Sequence, residues 1–462
     1  MKAKNLMLSV LTAAMLISCG GSTKDIANPS ATSAPARTLA SINEVPTSVT
    51  SILNRQRLSD RTIELTIATS SFSSPVKVEV ILPVNYNVDP LRRWPVTYYV
   101  AGTNSNQTTF RVAYDGEIQT QGFNSIVVAP SGEAGYWSDW YNLGAGGPPK
   151  YETFVISELI PLIDAQFRTI PVRSQRAIMG ESMGGYGALM LAARHPDKFV
   201  AAASLSGAVD TNFPTGMLIN SMSPLLQYNP PDAIYGPRLT QEVRWRGHNP
   251  LDLAQNLAGM DLQVFTGNGV LGINQGESVD SLPSCALESG VILPESRNFH
   301  ATLNDLAIPH YWEELNWGCH SAVLFDSYLP KILPRFQLVF GQSAPAPSTF
   351  DYRSTESQFE VYGWNVNVDS LRAMEFINLK HVSSSGFEIA GSGLTTITTP
   401  QFFHGKNKVS VRVDGVLTQN VTPDANGRVN FNVDLGPANL QQEYLPGSQT
   451  TVSVHRIDLS AN

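Results

Sequence analysis

Residues 180–188 read Gly-Glu-Ser-Met-Gly-Gly-Tyr-Gly-Ala, a G-x-S-x-G elbow that sets Ser182 between a strand-compatible run and a helix-compatible one. Ahead of it, Arg176-Ala177-Ile178-Met179 is short and apolar in its middle; behind it, residues 188–194 favour helix until His195-Pro196 stops it. The chain must reverse sharply here to lift a serine hydroxyl above the strand ends, and Gly180 and Gly184 remove side chains that would collide in such a turn. The amino terminus of the following helix then faces a developing negative charge. Ordinary turns also match the bare pattern, so the flanking strand and helix are what make Ser182 a candidate nucleophile.

A chain of 462 residues, 42% of them hydrophobic, can bury a large core and has room for more than one domain. Its net charge of -8 is spread along the sequence without a basic stripe, which excludes nucleic acid as a partner. The eight histidines form no close pair at helical ligand spacing and there is no Asp-rich calcium loop, so neither a metal nor another cofactor is expected.

Lys2 and Lys4, an apolar stretch from Leu6 to Ile17, and then Ser18-Cys19-Gly20 together resemble a bacterial lipoprotein signal peptide. On that reading residues 1–18 are removed, Cys19 carries the lipid that anchors the protein to a membrane, and the Ser, Ala, Pro and Thr-rich residues 19–45 are a flexible tether. Gly20 supplies no acidic retention signal, which points to the outer membrane; the bland alternative is a cleaved signal with an incidental cysteine. The apolar stretch is short for a transmembrane span, and no later segment provides one. With Cys19 lipidated, Cys285 and Cys319 remain, and two cysteines in an exported protein predict a disulfide rather than two buried thiols.

From Thr62 to Pro83 the alternation of apolar and polar residues has the period of an antiparallel hairpin. Apolar runs at 96–100, 125–129, 177–179, 201–205, 262–265 and 310–315 follow, with helical patterns over 154–167, after the elbow, and around 297–306. Strands alternating with helices predict an α/β domain with a mostly parallel sheet, over residues 46–341. Residues 342–349, containing Ala344-Pro345-Ala346-Pro347, read as a linker, and residues 350–462 as a small all-β sandwich of short alternating strands.

A serine hydroxyl needs a base to take its proton, and the base needs an acidic group to hold its tautomer. His320, in the glycine-containing loop Trp317-Gly318-Cys319-His320-Ser321 after a strand, is the strongest base candidate; His300 and His310 fall in a helix and at a strand edge, and His195 lies at the far end of the elbow helix. The acid is open between Glu277, Asp280, Glu288 and Glu295 on pattern alone. The oxyanion hole needs two backbone N–H groups, the first of which Met183 supplies as the residue after the nucleophile.

Several local motifs occur in order: Trp137-Ser138-Asp139-Trp140-Tyr141, Tyr151-Glu152-Thr153-Phe154, Ser157-Glu158-Leu159, the elbow, Phe265-Thr266-Gly267-Asn268-Gly269, and Gly318-Cys319-His320-Ser321. Through them, residues 60–335 resemble the esterase family of α/β-hydrolases, and within it the antigen 85 type mycolyltransferases and their esterase relatives. The family places its acid in a Leu-Glu pair about thirty residues before the histidine, which Leu287-Glu288 matches, leaving Glu295 and Asp280 as reserves. The family pattern likewise implies the Thr103 amide, after the strand at 96–100, as the second oxyanion donor. Trehalose mycolyltransferases carry an acidic residue and an arginine in that loop, where this chain has Ala101 and Asn104, and a tryptophan soon after the histidine, where it has Ser321-Ala322-Val323-Leu324.

The resulting expectation is a lipid-anchored, exported serine esterase whose partner is an ester substrate: Ser182 as nucleophile, His320 as base, Glu288 as acid, and the Met183 and Thr103 amides on the oxyanion. An acyltransferase passing the same acyl group to an alcohol is the alternative within enzymes. A non-catalytic surface-binding lipoprotein is the alternative of another class. Trp137, Trp140 and Tyr141 are divided evenly between lining a substrate cleft and simple packing.

Overall fold

The apolar runs of the first two-thirds of the chain become strands covered on both faces. The computed structural model describes residues 50–461. Among them, β1 (Ser51–Arg57), β2 (Thr62–Ala68), β3 (Val76–Ile81), β4 (Val96–Val100), β5 (Ile126–Pro130), β6 (Arg176–Glu181), β7 (Ala201–Leu205), β8 (Asp261–Thr266) and β9 (Tyr311–Glu314) form one sheet in the order β1-β2-β3-β5-β4-β6-β7-β8-β9. Strands β1 to β3 pair antiparallel and β3 joins β5 antiparallel, while β5, β4, β6, β7, β8 and β9 run parallel. Every residue of β4, β5, β6 and β7 is buried, as parallel strands flanked by helices require.

One face of the sheet packs on the helical residues 151–166 and the elbow helix (Met183–Arg194), with Phe154, Ile163, Leu189 and Met190 fully buried. The other face is covered by the long helix Ala322–Gln342, through Leu324, Tyr328, Ile332 and Phe336. This is a three-layer α/β arrangement.

The chain passes from β4 outward to β5 and then back across to β6, which lies on the other side of β4, with Val100 opposite Gly180. This change of direction sets the loop after β4 beside the elbow after β6, where open α/β sheets gather their ligand sites.

β1 departs from the expected two-stranded opening. Its sequence Ser-Ile-Leu-Asn-Arg-Gln-Arg is exposed almost throughout at the edge of the sheet, so it carries no alternating apolar pattern. The helix expected around 297–306 also starts earlier, as Leu282–Leu287, Glu288–Ile292 and Leu293–Asp305 follow one another without a break.

Beyond residue 349, β10 (Phe350–Ser354), β13 (Ile377–Ser383), β14 (Gly386–Gly391), β16 (Val409–Val413), β17 (Val416–Val421) and β19 (Ser453–Ala461) make one antiparallel sheet. A second contains β11 (Gln358–Val361), β12 (Trp364–Val368), β15 (Leu394–Thr398) and β18 (Asn430–Asp434). Their inward residues, among them Val366, Ile377, Ile389, Ile397, Val411 and Val433, share one core of their own. The region is not merely tethered. The Tyr352 hydroxyl donates to the Arg194 carbonyl at 2.6 Å, Arg194 Nη2 meets Glu356 at 2.7 Å, and Asn256 exchanges hydrogen bonds with both backbone groups of Arg353 at 2.8 and 2.9 Å. Residues 1–49, with the expected signal, Cys19 and the tether, lie outside the described residues, as does residue 462.

Candidate active site

Ser182 follows the last residue of β6 and precedes the first of the elbow helix. Its backbone, at φ 56° and ψ -123°, lies in a region that L-residues with side chains seldom occupy, and its N–H is held by the Leu205 carbonyl of β7 at 3.0 Å. The turn closes only without side chains on either side: a Cβ on Gly180 or on Gly184 would drive into the Val100 carbonyl of β4. The strain points the partly exposed Ser182 side chain out of the core, with the Met183 N–H at the start of the helix, where it has no intrahelical acceptor.

His320 Nε2 lies 2.7 Å from Ser182 Oγ, and His320 Nδ1 lies 2.7 Å from Glu288 Oε2. A carboxylate can only accept, so Nδ1 carries the proton toward Glu288 and Nε2 is left to accept from the serine hydroxyl. Glu288 is fully buried, and its Oε1 accepts from Ser206 Oγ at 2.8 Å, Thr266 Oγ1 at 3.0 Å and the Gly267 N–H at 2.8 Å. These bonds fix the carboxylate at the ends of β7 and β8. Phe325 packs edge-on against the imidazole at 5.0 Å between ring centres.

The histidine loop is fastened on three sides. Cys319 is bonded to Cys285, the His320 N–H donates to the Ser284 carbonyl at 3.1 Å, and Glu277 takes the Cys319 N–H at 2.9 Å together with the Ser321 hydroxyl at 2.5 Å. The second oxygen of Glu277 accepts the Gly272 N–H at 2.8 Å, so one buried carboxylate binds the loop after β8 to the loop after β9.

The loop after β4 is similarly pinned. Trp137 Nε1 donates to the Ala101 carbonyl at 3.1 Å, the Gly102 N–H donates to Glu181 Oε1 at 2.8 Å, and the Asn104 N–H donates to the Glu133 carbonyl at 2.8 Å. Of these successive amides, Gly102 and Asn104 are engaged, and that of Thr103 lies between them. A cleft of about 760 Å³ opens beyond this loop, bordered by Asn106, Gln107, Glu133, Phe72 and Tyr151; Ser182 is not among its lining residues.

The structure thus brings Ser182, His320 and Glu288 together and separates them from the other candidates. Asp280 is exposed. Glu295, two turns beyond Glu288, is buried against the Asp210 N–H at 3.4 Å and the backbone of Gly216, and burial pushes its carboxyl well above the usual range. His300 and His310 bond to each other at 2.7 Å, and His195 meets Glu152 at 2.7 Å. Trp137 and Trp140 are buried and pack rather than line a cleft, while Tyr141 lies under the Arg244 guanidinium. Glu181, which the sequence pattern does not mark, and Glu277, one of the four acid candidates, bind backbone amides and hydroxyls instead of the imidazole. Among the described residues, no group of three His, Cys, Asp or Glu side chains is placed to hold a metal ion.

A strained serine at a strand-to-helix turn, a histidine loop after the last parallel strand and a buried acid in the connection before it define the chain as an α/β-hydrolase. The family model described as "Putative esterase" matches residues 69–336, and the chain belongs to that family. Among curated relatives it is 30% identical to the esterase Rv1288 of Mycobacterium tuberculosis over 247 residues, 52% of each chain. It is 29% identical to the diacylglycerol acyltransferase/mycolyltransferase Ag85A of Mycobacterium ulcerans over 260 residues, 54% of this chain and 72% of that one. The match thus spans about half the length of Rv1288. Among solved structures, Mycobacterium tuberculosis MPT51 superposes over 61% of this chain and 98% of its own, with a TM-score of 0.50 at 20% identity, a likeness of fold.

Proposed function

We propose that the protein is a serine carboxylester hydrolase working through an acyl-enzyme. The observation that carries this reading is the continuous relay from Ser182 Oγ through both nitrogens of His320 to Glu288, 2.7 Å at each step. As Ser182 attacks an ester carbonyl, His320 Nε2 takes its proton and then returns it to the leaving alcohol, while Glu288 stabilises the imidazolium through Nδ1. The Met183 and Thr103 amides receive the tetrahedral oxyanion. Water, activated by the same histidine, releases the acid.

Acyl transfer to an alcohol uses the same intermediate and is favoured as a second reading by the similarity to Ag85A. Trehalose is a poor candidate acceptor, since Ala101 and Asn104 stand where trehalose mycolyltransferases carry charged residues. Export is supported by the Cys285–Cys319 disulfide, which persists in oxidising compartments, and by the amino-terminal sequence with Cys19 as the lipidated residue.

The test is hydrolysis of p-nitrophenyl esters of increasing acyl length by wild type and Ser182→Ala, with and without added alcohols. Serine-dependent release supports the reading, and the split between acid and new ester decides between water and alcohol. Equal rates for the two proteins across the series would sink it.

A further inference from the structure

Glu181 is a buried acid beside the reaction centre that the relay does not use. It closes β6, directly precedes Ser182 and is 2% exposed. An acidic side chain in such a place meets a desolvation penalty that an aliphatic one would not; burial pushes its carboxyl up to about 7, against hydrogen bonds from Tyr99 and Gly102. Both carboxyl oxygens are committed: Oε2 accepts the Tyr99 hydroxyl, and Oε1 accepts the Gly102 N–H at 2.8 Å.

The second of these bonds spans the two halves of the site. Gly102 is the residue before Thr103, and its Cα is seated so closely against the elbow that a Cβ there would stand 3.3 Å from both the Glu181 carbonyl and Ser182 Cβ. The loop's other anchors, Trp137 Nε1 on the Ala101 carbonyl and the Glu133 carbonyl on the Asn104 N–H, come from the segment after β5. Movement of that segment would carry the loop with it. Glu181 ties the loop to the elbow itself, so it sets the donor's position relative to the nucleophile.

We propose that Glu181 is a positioning residue for the oxyanion hole, holding the Gly102–Thr103 peptide at its distance and angle from Ser182 Oγ. The proposal rests on the esterase reading above. An oxyanion donor acts only on the tetrahedral species, so losing its aim lowers turnover and tetrahedral-adduct affinity while leaving ground-state substrate binding in place.

The experiment compares wild type with Glu181→Leu and Glu181→Met, which fill the space without an acceptor, and with Glu181→Gln, whose amide oxygen still receives the Gly102 N–H. Tyr99→Phe removes the other bond. Each is read by kcat and KM on a p-nitrophenyl ester, by the affinity of an aryl boronic acid that forms a tetrahedral adduct on Ser182, and by thermal melting. The apolar variants are expected to lose about 10²-fold in both kcat and boronate affinity, with KM within about threefold of wild type. Glu181→Gln should return to within about tenfold and Tyr99→Phe should stay near wild type. Boronate affinity unchanged in a folded Leu or Met variant overturns the proposal, as does a Gln variant no better than these two. The boronate arm reads Glu181 whether or not the chosen esters are turned over, so an inactive wild type with the contrast intact would count against the esterase reading alone.

Discussion

Cys285 is joined to Cys319, which fastens the helix carrying Glu288 to the residue immediately before His320. Glu288 comes from a helix and His320 from a loop, and this bond ties the two segments together covalently. Closing a loop with a sequence separation of 34 stabilises the fold by about 3–4 kcal/mol in the chain-entropy model. Reduction, or the double variant Cys285→Ser/Cys319→Ser, should therefore lower the melting temperature and reduce kcat more than it raises KM. Ester hydrolysis with and without reductant checks this; full activity after verified reduction would show that the Glu277 and Ser284 contacts hold His320 unaided.

Glu277 makes the non-covalent counterpart of that bond. Removing its carboxylate leaves the buried Cys319 and Gly272 amides without their acceptor, at about 1–3 kcal/mol for each unsatisfied group. Glu277→Ala should destabilise the protein and depress kcat through a displaced His320, whereas Glu277→Gln keeps one acceptor oxygen and should fall between. Melting curves alongside kcat test the order; a Gln variant as poor as Ala would mean that charge rather than hydrogen bonding matters here.

Much of this architecture can be read from the chain because its physics is local. Strands β4 to β8 are buried on both faces, so their apolar runs stand out, and the elbow's glycines record a collision with the Val100 carbonyl that no other residue avoids. β1 escapes notice because an exposed edge strand needs no apolar face. The helix Ala322–Gln342 contains Pro330 and Pro334, which argue against helix in sequence but are accommodated on a scaffold held by its buried Leu324, Tyr328 and Ile332. The acid shows the limit most plainly. Glu277, Glu288 and Glu295 are all buried, and which of them meets His320 depends on contacts across the sheet ends that spacing does not encode; only resemblance singled out Glu288. Glu181 left no signal because its partners, the Gly102 amide and the Tyr99 hydroxyl, are brought to it only by the fold, and Glu277, open as an acid on pattern, binds the Cys319 and Gly272 amides and the Ser321 hydroxyl instead.

At the junction with the β-rich region, the buried Glu152 bonds the half-buried Arg194 and His195, both at 2.7 Å. Burial opposes its charge, but Arg194, His195 and His248 outweigh that and hold its carboxyl well below the usual range. A depressed carboxyl contributes stability that is present above the unfolded value, about 4.3, and is lost as pH falls below it. Glu152→Gln should therefore cost about 3 kcal/mol near neutrality and show a flatter acid limb than wild type. Denaturant titrations from pH 3 to 7 measure both; parallel curves for the two proteins would contradict the assignment.

Glu295 should show the opposite sign. Burial, reinforced by the neighbouring Asp210 charge and opposed by the Asp210 amide, raises its carboxyl well above the ordinary range, and its Oε1 has no hydrogen-bond partner. In the window from about 4.3 up to the folded value, the unfolded chain releases this proton while the folded protein keeps it, so stability declines as pH rises. Glu295→Gln cannot ionise and escapes the decline. Its stability relative to wild type should grow by up to about 1.4 kcal/mol for each pH unit across that window, starting near or below zero at the acid end. Unfolding free energies of wild type and Glu295→Gln from pH 4 to 8 read this as a gain for the Gln variant that grows with pH. A Gln variant that tracks wild type at constant offset would show that Glu295 titrates like a solvated carboxyl.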